Sequence, residues 1–589
     1  MTSPTTASVP IRRTRLAAAA IVLCAILPVL PTLRAAFVYD DTTIIRDNPV
    51  LRGWSALLHV WSSPYWSGDG GEALGLYRPV QQALLALVWN LGHGSALLFH
   101  LYAILLAAAT AIAVWYVLRR GVGWMPAVIA AAWFASHPLH IEAIASVANT
   151  SELIVALSTI GLGLMLARKA PLAEHSHARY VAHIVCIAVL AGAAIGAKES
   201  GLLAIPVAVL TAWGWRRSTA GGPSLVAFIR DNARALALAC ACVFLELLAR
   251  LAVLGAPVST SSIGAQGLSG ISASDRVVAM MSLWPRILWM MLMPSSLSPY
   301  YGPSIIPEHA GGLALLGFAV FVAVTALVVI VARRGDVRPL VALGWIVLTY
   351  LPASNLLAPT GQLLSDRALF GATIGAALAL AWAVDSLSPF GRRVASVLMV
   401  LLIVRNTVSG AHYAVAWTSH RALWTRMIEE APAEHLGYKL LGMDARARGD
   451  TAQAINLLDR AFAMAPSDRQ TRFELGQVQY ATGRYRAAVA TLGPLMQNAD
   501  ARDERALVAL YLDAVGRSAG PQAVVRVAGP LTHSASAPTA HLFIGIAQEQ
   551  MGDRVAAESA YVAGLRRSAG DSALLSRYLA LHPERMHHH

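Results

Sequence analysis

Residues 16–41, LAAAAIVLCAILPVLPTLRAAFVYDD, join a long apolar run to a pair of adjacent aspartates. Residues 1–15 carry three arginines near their end, whereas the apolar run has a single charge, Arg34, before the aspartates. A positive flank before an apolar run stays in the cytoplasm. Pro28 and Pro31 interrupt the run, and no clear small-residue cleavage site follows it. The pattern predicts a retained signal-anchor helix with a cytoplasmic N-terminus.

Asp40 and Asp41 then fall on the outer face of the membrane, directly after this helix. Neighbouring residues point in different directions, so one of the two carboxylates can face back over the membrane surface. A carboxylate in that place can act as a general base, a metal ligand or a helix cap. A solvated loop with an Asx-type turn is the simpler explanation of a bare aspartate pair. The residues that follow in the chain favour the catalytic interpretation and leave open which aspartate is the base.

The composition indicates a membrane protein with a soluble part. Of 589 residues, 56% are hydrophobic and 13% are charged, against about 25% charged in soluble domains. The net charge of +13 comes almost entirely from arginine. Without a basic stripe interleaved with aromatic residues, it indicates cytoplasmic loops and contacts with membrane lipid rather than nucleic acid.

The apolar runs predict an all-α, polytopic membrane domain of about eleven transmembrane helices over residues 1–410. After the anchor helix, spans are expected near residues 97–118, 124–137, 151–168, 180–196, 200–215, 230–252, 311–332, 339–352, 367–386 and 392–409. The first outer loop covers residues 37–94, and a long outer loop covers residues 253–310. Residues 277–293 contain a proline and an arginine and are predicted to be interfacial or re-entrant. With that segment not crossing, the arginine-rich helix ends all fall on one side.

A second domain is predicted over residues 435–586, after a connecting helix over residues 411–434. Small residues, glycines and prolines recur there at an offset of 34 residues, as in Leu441-Gly442, Gly449, Ala454, Ala461 and Pro466 against Leu475-Gly476, Gly483, Tyr485 and Ala488, and again in Gly545, Gly552, Ala557 and Tyr561. This is the signature of the tetratricopeptide repeat (TPR), with small residues where paired helices cross and glycine at the turn. Four repeats are expected, one of them degenerate.

Such repeats stack into a solenoid with a concave peptide-binding face. A rigid spacer or an oligomerisation module remains an alternative for this domain. An odd number of spans places the domain outside the cytoplasm. Residues 587–589 are interpreted as the remnant of a purification tag.

Polar groups collect on the predicted outer face, although the membrane domain has few charges. They are Tyr77, Arg78, His137, His140, Glu142, Lys198, Glu199, Arg250, Asp366 and Arg367. Each has a structural explanation singly, but ionisable groups at membrane depth are costly and together indicate a functional site.

Transfer of a sugar from a lipid-linked phosphate would use these groups. Arginine binds phosphate through its planar fork, so Arg78, Lys198, Arg250 and Arg367 are candidates for the departing phosphate. An aspartate would take the proton of the acceptor hydroxyl. His137, His140 and Glu142, with Asp41, are candidate ligands of a divalent metal ion, because the side-chain types suit zinc.

Five segments, FVYDDTTIIRDNPVL, YRPV, HPLHIEAIASVANTSEL, AKESGL and SDRALF, resemble the successive motifs of the TMTC family. These are transmembrane and tetratricopeptide-containing O-mannosyltransferases of the GT-C glycosyltransferase superfamily. The resemblance covers most of the chain in the family's order. It implies a polyprenyl-phosphate sugar donor, an inverting transfer and a catalytic carboxylate at Asp40 or Asp41. It also implies that Tyr77, Arg78, His137, Glu142, Lys198, Glu199 and Arg367 surround the donor phosphate and the acceptor.

The sequence therefore predicts a glycosyltransferase of the bacterial inner membrane, whose TPR domain holds a protein acceptor or a partner in the periplasm. Three alternatives stay open. A GT-C enzyme could glycosylate a lipid or a polysaccharide, a membrane scaffold could recruit partners through its TPRs, and a transporter of lipid-linked glycans would show inverted repeats, which are not evident in the spans.

Overall fold

The computed structural model describes residues 10–66, 75–168, 177–218, 222–255, 268, 270–307, 309–497 and 504–582. These residues form α-helices joined by turns, short 3-10 segments and one π-helical segment, Thr42–Arg46, and they contain no β-strand. The chain divides into two compact units, residues 1–431 and residues 432–589. The predicted tag remnant, residues 587–589, lies outside the described residues.

The first unit contains eighteen of the described α-helices. In chain order they are α1 Ile11–Ile26, α2 Ala56–His59, α3 Pro79–Gly92, α4 Ala96–Leu118, α5 Trp124–Ala135, α6 His140–Ala145, α7 Ser151–Ala167, α8 His177–Ala197, α9 Ala204–Arg217, α10 Leu225–Asp231, α11 Ala233–Leu254, α12 Ala273–Ser282, α13 Trp284–Leu292, α14 Ala310–Arg333, α15 Arg338–Tyr350, α16 Phe370–Asp385, α17 Pro389–Ala416 and α18 His420–Glu430.

The predicted polytopic, all-α membrane fold is confirmed. Among the described residues, eight helices are long and apolar enough to cross a membrane. A helix stands at each of the eleven predicted spans, but α5, α9 and α15 have 12, 14 and 13 residues. A straight helix needs about 20 residues to cross the hydrocarbon core. Length therefore supports crossing for fewer helices than the sequence predicted.

The predicted anchor helix changes character along its length. It is α-helical only to Ile26, and Leu27–Arg34 continue as a 3-10 helix. Pro28 and Pro31 explain the change, because proline lacks the N–H that an α-helix requires and its ring crowds the preceding turn. This 3-10 segment, which is wound more tightly than an α-helix, leads to the turn that carries Asp40.

The predicted outer loops contain helices of their own. Within residues 37–94, α3 runs for 14 residues and starts with Pro79, whose fixed φ suits a first helical position. Residues 277–293 break at Leu283 into α12 and α13, which have 10 and 9 residues. Neither is long enough to cross a bilayer, and Pro285 near the start of α13 is consistent with the break.

An ion-pair network links several helix ends on the side of the first unit opposite the predicted site. Arg338, at the start of α15, pairs with Asp385 at the end of α16 at 3.1 Å and with Asp336 at 2.7 Å. Its Nη1 also donates to the carbonyl of Gly121 after α4. The network ties the ends of α4, α15 and α16 together, away from the residues of the predicted site.

The second unit is a series of helix pairs. They are α19 His435–Ala447 with α20 Thr451–Met464, α21 Arg469–Ala481 with α22 Tyr485–Leu492, α23 Arg505–Ala519 with α24 Pro521–Ala528, and α25 Ala537–Gln550 with α26 Arg554–Arg567, followed by α27 Ser572–Leu581. Gly442, Gly476 and Gly545 lie where the helices of a pair cross, since a Cβ on each would overlap Leu458, Leu492 or Tyr561. The TPR solenoid is confirmed, and the pair α23 and α24 lies where the degenerate repeat was predicted.

Residues 411–434, predicted as one connecting helix, have a different arrangement. They comprise the last turns of α17, a break at residues 417–419, and α18. Ser419 is extended there and its side chain accepts from the N–H of Ala422, which caps α18. The cap makes α18 a separate helix within the first unit.

Candidate active site

A cavity of about 660 Å³ lies among the polar groups of the predicted site. The four cations predicted to hold a donor phosphate, Arg78, Lys198, Arg250 and Arg367, all line it. Other lining side chains include Tyr39, Asp40, Trp66, Tyr77, Glu152, Glu199, Glu246 and Gln362. They come from the first loop, from α7 and α11, and from the segments that follow α8 and precede α16. Charged groups separated by more than 300 residues therefore share one concave surface.

Two of the cations share a carboxylate. Arg78 donates to Glu199 through Nη2 at 2.7 Å and through Nε at 3.1 Å. Arg250 pairs with the other oxygen of Glu199 at 3.2 Å. Burial alone would raise the pKa of Glu199, but Arg78 and Arg250 lower it to about 2. The carboxylate thus stays ionised and fixes two guanidiniums at one edge of the cavity.

Each of the other two cations has a carboxylate of its own. Lys198 pairs with Glu152, which α7 carries into the cavity wall. Arg367 pairs with the buried Glu142 at 2.5 Å, and its backbone N–H donates to the second oxygen of the same carboxylate at 2.9 Å. Both oxygens of Glu142 therefore bond to Arg367, and they orient Arg367 from the side that faces away from the cavity.

The two aspartates have different surroundings. Asp40 is half-buried on the cavity wall, and its side chain makes no hydrogen bond or ion pair with the described residues. Asp41 is buried outside the cavity lining. It accepts hydrogen bonds from the backbone N–H groups of Val147 and Ala148 at 2.9 and 2.8 Å. Asp40 is thus free to meet a ligand, whereas Asp41 anchors the turn to the segment before α7.

Burial raises the pKa of both aspartate carboxyl groups. Burial raises the pKa of Asp40, while Arg367 and Arg78 oppose the rise and Glu142 adds to it. Burial raises the pKa of Asp41 to about 7, although the N–H donors favour its ionised form. A half-buried carboxylate with a raised pKa and no internal partner has the properties of a general base.

Tyr77 lines the cavity, and its hydroxyl donates to the carbonyl of Trp61 at 2.7 Å. Asp366 does not line the cavity; it is buried and accepts a hydrogen bond from Tyr301 at 2.6 Å. His137 and His140 are also buried away from the cavity. The cavity lining therefore includes seven of the twelve predicted site residues. Asp366, His137 and His140 lie behind its wall, as do Asp41 and Glu142.

The four candidate metal ligands do not form a ligand set. Nε2 of His137 bonds to the carbonyl of Met291 at 3.0 Å, and Nε2 of His140 bonds to Thr373 at 2.8 Å. Glu142 is occupied by Arg367, and Asp41 by backbone N–H groups. Among the described residues, no three His, Cys, Asp or Glu side chains converge as metal ligands do. These residues therefore do not fit a divalent ion.

Sequence reasoning missed two acidic residues of the cavity, Glu152 and Glu246. Glu246 interrupts the long apolar helix α11, and Glu152 lies in the first turn of the apolar helix α7. A carboxylate within or directly beside an apolar run is itself a signal of function. Gln362, which accepts a hydrogen bond from Arg367 at 3.2 Å, carries no such signal, because a polar residue in a loop is common.

A model of the tetratricopeptide repeat family matches residues 445–510. The chain is 23% identical to protein O-mannosyl-transferase F38B6.6 of Caenorhabditis elegans, over 76% of this chain and 62% of the relative. It is 23% identical to protein O-mannosyl-transferase TMTC3 of Mus musculus, over 78% of this chain and 52% of the relative. Protein O-mannosyl-transferase Tmtc2 of Drosophila melanogaster is 27% identical, over 45% of this chain and 27% of the relative.

These matches confirm the resemblance to the TMTC proteins that the motifs predicted. The chain spans between about half and three fifths of the length of the first two relatives. Among solved structures, the Cut9–Hcn1 hetero-tetramer of the APC/C aligns at 14% identity with a TM-score of 0.24, which is too low to carry a comparison.

Proposed function

We propose that the protein is a membrane glycosyltransferase that moves a sugar from a polyprenyl phosphate to a hydroxyl of a protein acceptor. The observation that carries this proposal is the cavity, in which Asp40 lies among four cations and makes no hydrogen bond or ion pair with the described residues. Glu246, within α11, is the other lining carboxylate without such a partner among these residues. The named activity of the relatives, protein O-mannosyl transfer, supports the same reaction class.

The cations bind the donor in this proposal. Arg78 and Arg250 are fixed by Glu199, and Arg367 is fixed by Glu142, so their remaining N–H groups can meet phosphate oxygens without further ordering. Lys198 adds a compact charge. As the bond from the sugar to the phosphate breaks, negative charge grows on the departing oxygen, and preorganised cations stabilise it more than they stabilise the bound donor.

Asp40 acts as the base. Its carboxylate takes the proton of the acceptor hydroxyl while that oxygen attacks the anomeric carbon. The electron pair of the breaking carbon–oxygen bond leaves with the phosphate, so the products are the glycosylated acceptor and the polyprenyl phosphate. A single displacement of this kind inverts the configuration at the anomeric carbon. No metal ion is assigned a step, because the candidate ligands do not fit one.

The TPR unit holds the protein acceptor or a partner, since stacked repeats present extended concave surfaces that bind peptides. The proposal retains the orientation expected from the charge pattern, with the N-terminus cytoplasmic and the TPR unit in the bacterial periplasm. Protease protection in inverted and right-side-out vesicles would test that orientation.

The decisive experiment is a transfer assay. Purified full-length protein is mixed with radiolabelled polyprenyl-phosphate monosaccharides and a periplasmic protein extract, and compared with Asp40→Asn and, as a matched control, with the exposed Asp47→Asn. We expect label to enter protein with the wild type and with Asp47→Asn, and to be reduced at least a hundredfold with Asp40→Asn. Label that enters only lipid or polysaccharide would overturn the protein acceptor, and no transfer from any donor by folded protein would overturn the reaction class.

A further inference from the structure

Arg405 lies inside α17, a helix of 28 residues that is long and apolar enough to cross a membrane. Its Nη2 donates to the carbonyl of Pro294 at 2.8 Å, and its Nη1 donates to Oδ1 of Asn406 at 3.2 Å. Both acceptors are neutral, and no carboxylate of the described residues pairs with Arg405. The four cations of the active-site cavity all have such a partner. A charge at membrane depth without a counter-charge is costly, so this position calls for an anion.

A second cavity, of about 640 Å³, opens beside Arg405. Ser409 and His412 follow Arg405 at intervals of four and three residues, so the three side chains share one face of α17. Arg426 of α18 also lines this cavity and is paired with Glu430 at 2.6 Å. Arg426 also lies 3.8 Å from the exposed Glu429, so its charge is balanced within α18. Arg405 is the lining guanidinium that lacks a counter-charge among the described residues, and its charge favours an anionic ligand.

The neighbouring face of α17 is apolar and uncovered. Leu401, Val404 and Val408 have 62%, 57% and 66% of their surface exposed, and their spacing places them along one side of the helix. On a membrane helix, such a strip faces acyl chains. A cationic cavity at the end of an uncovered apolar strip matches a ligand with a charged head and hydrocarbon tails.

We propose that this second cavity binds the phosphate headgroup of an anionic bilayer phospholipid. Arg405 supplies the counter-charge, Ser295 and Ser409 supply hydroxyl donors to the phosphate, and the acyl chains lie along Leu401, Val404 and Val408. The lipid fills a place between α17, α18 and the segment after α13. It is neither donor nor product of the transfer reaction, and the site is separate from the active-site cavity.

Native mass spectrometry of the full-length protein in detergent tests the proposal directly. Phosphatidylglycerol and phosphatidylcholine with identical acyl chains are titrated into wild type, Arg405→Gln and Arg393→Gln, the last being an exposed arginine roughly 18 Å away along the same helix. We expect one phosphatidylglycerol to bind wild type and Arg393→Gln at least tenfold more tightly than phosphatidylcholine. Arg405→Gln should lose that preference. Equal binding of the two lipids to wild type, or an unchanged preference in Arg405→Gln, would overturn the site.

A thermal unfolding series keeps the proposal testable if Arg405→Gln does not fold. Phosphatidylglycerol should raise the Tm of the wild type, and Ser409→Leu, which fills the cavity with an apolar side chain, should abolish that rise. Inorganic phosphate that raises the Tm equally would show that the tails contribute nothing and would overturn the lipid. Tighter binding of polyprenyl phosphate than of phosphatidylglycerol would overturn the assignment to bilayer phospholipid.

Discussion

The backbone N–H of Tyr39 donates a hydrogen bond to Nε2 of His420 at 3.1 Å, across 381 residues of chain. Tyr39 has a left-handed backbone with φ of 59°, which costs on the order of 1–3 kcal/mol in a residue with a side chain. Its ring meets Trp424 edge-on, with 5.6 Å between ring centres, and Trp424 stacks on His420. The turn that presents Asp40 is therefore held in a strained conformation by α18.

His420 should act as a positioning residue for this turn. We expect His420→Ala to lower kcat about tenfold with little change in the KM for donor, because Asp40 loses its orientation while the cations stay in place. His420→Gln, whose side-chain oxygen can accept the N–H of Tyr39, should retain most of the rate. Arg421→Ala, exposed on the same helix, serves as the control. Equal losses in His420→Ala and His420→Gln would contradict this role.

We expect Asp41→Asn to destabilise the fold and to have a smaller effect on the rate of the protein that remains folded. An amide cannot accept hydrogen bonds at both ends of the side chain, so the N–H of Val147 or Ala148 loses its acceptor at a cost of about 1–3 kcal/mol. Thermal unfolding in detergent should show a lower Tm, while Asp40→Asn should keep the wild-type Tm and lose activity. A fully stable, inactive Asp41→Asn would instead make Asp41 the base.

The rate should depend on pH through Asp40. The base must be ionised, so the rate falls as pH falls through the pKa of Asp40, and burial raises that pKa above the ordinary value for aspartate. Arg367 opposes the rise, so Arg367→Gln should move the midpoint of the profile to higher pH. Arg333→Gln, a residue exposed at the opposite end, should leave the midpoint unchanged. A midpoint that moves to lower pH in Arg367→Gln would contradict this assignment of the base.

Glu199 should control donor binding without touching the donor. Glu199→Ala removes the shared partner of Arg78 and Arg250, and we expect the KM for donor to rise about tenfold because both guanidiniums lose their fixed orientation. With the pKa of Glu199 near 2, the pair stays ionised at ordinary pH, so the effect should be the same between pH 5 and pH 9. Glu429→Ala, on the exposed side of α18, provides a matched control, and a loss confined to one end of that range would contradict the prediction.

Gly545→Ala should destabilise the TPR unit. A Cβ at this position would lie 2.2 Å from the ring of Tyr561, so α25 and α26 must separate, at a cost of about 1–3 kcal/mol. Limited proteolysis should cleave residues 432–589 faster than in the wild type. Gly570→Ala, which meets nothing within 4 Å, should show the wild-type pattern, and equal cleavage of the two variants would refute the packing argument.

Much of the architecture follows from local pattern. The apolar runs predicted the membrane helices because length and hydropathy are properties of a single segment. The 34-residue offset predicted the TPR pairs because Gly442, Gly476 and Gly545 mark crossings that recur with the repeat. The short lengths of α5, α9 and α15 were not predictable in the same way, since the ends of those helices depend on turns that tertiary contacts stabilise.

The sequence by itself determined that cations and carboxylates would gather at one end of a helical membrane unit, because each of them ends or interrupts an apolar run. Only the tertiary structure decided what each group does. In the structure, Asp40 lines the cavity, whereas Asp41 accepts hydrogen bonds from the backbone N–H groups of Val147 and Ala148. His137 and His140 are buried among aromatic rings. These outcomes depend on helix rotation and on partners about a hundred or more residues away, and no spacing along the chain encodes them.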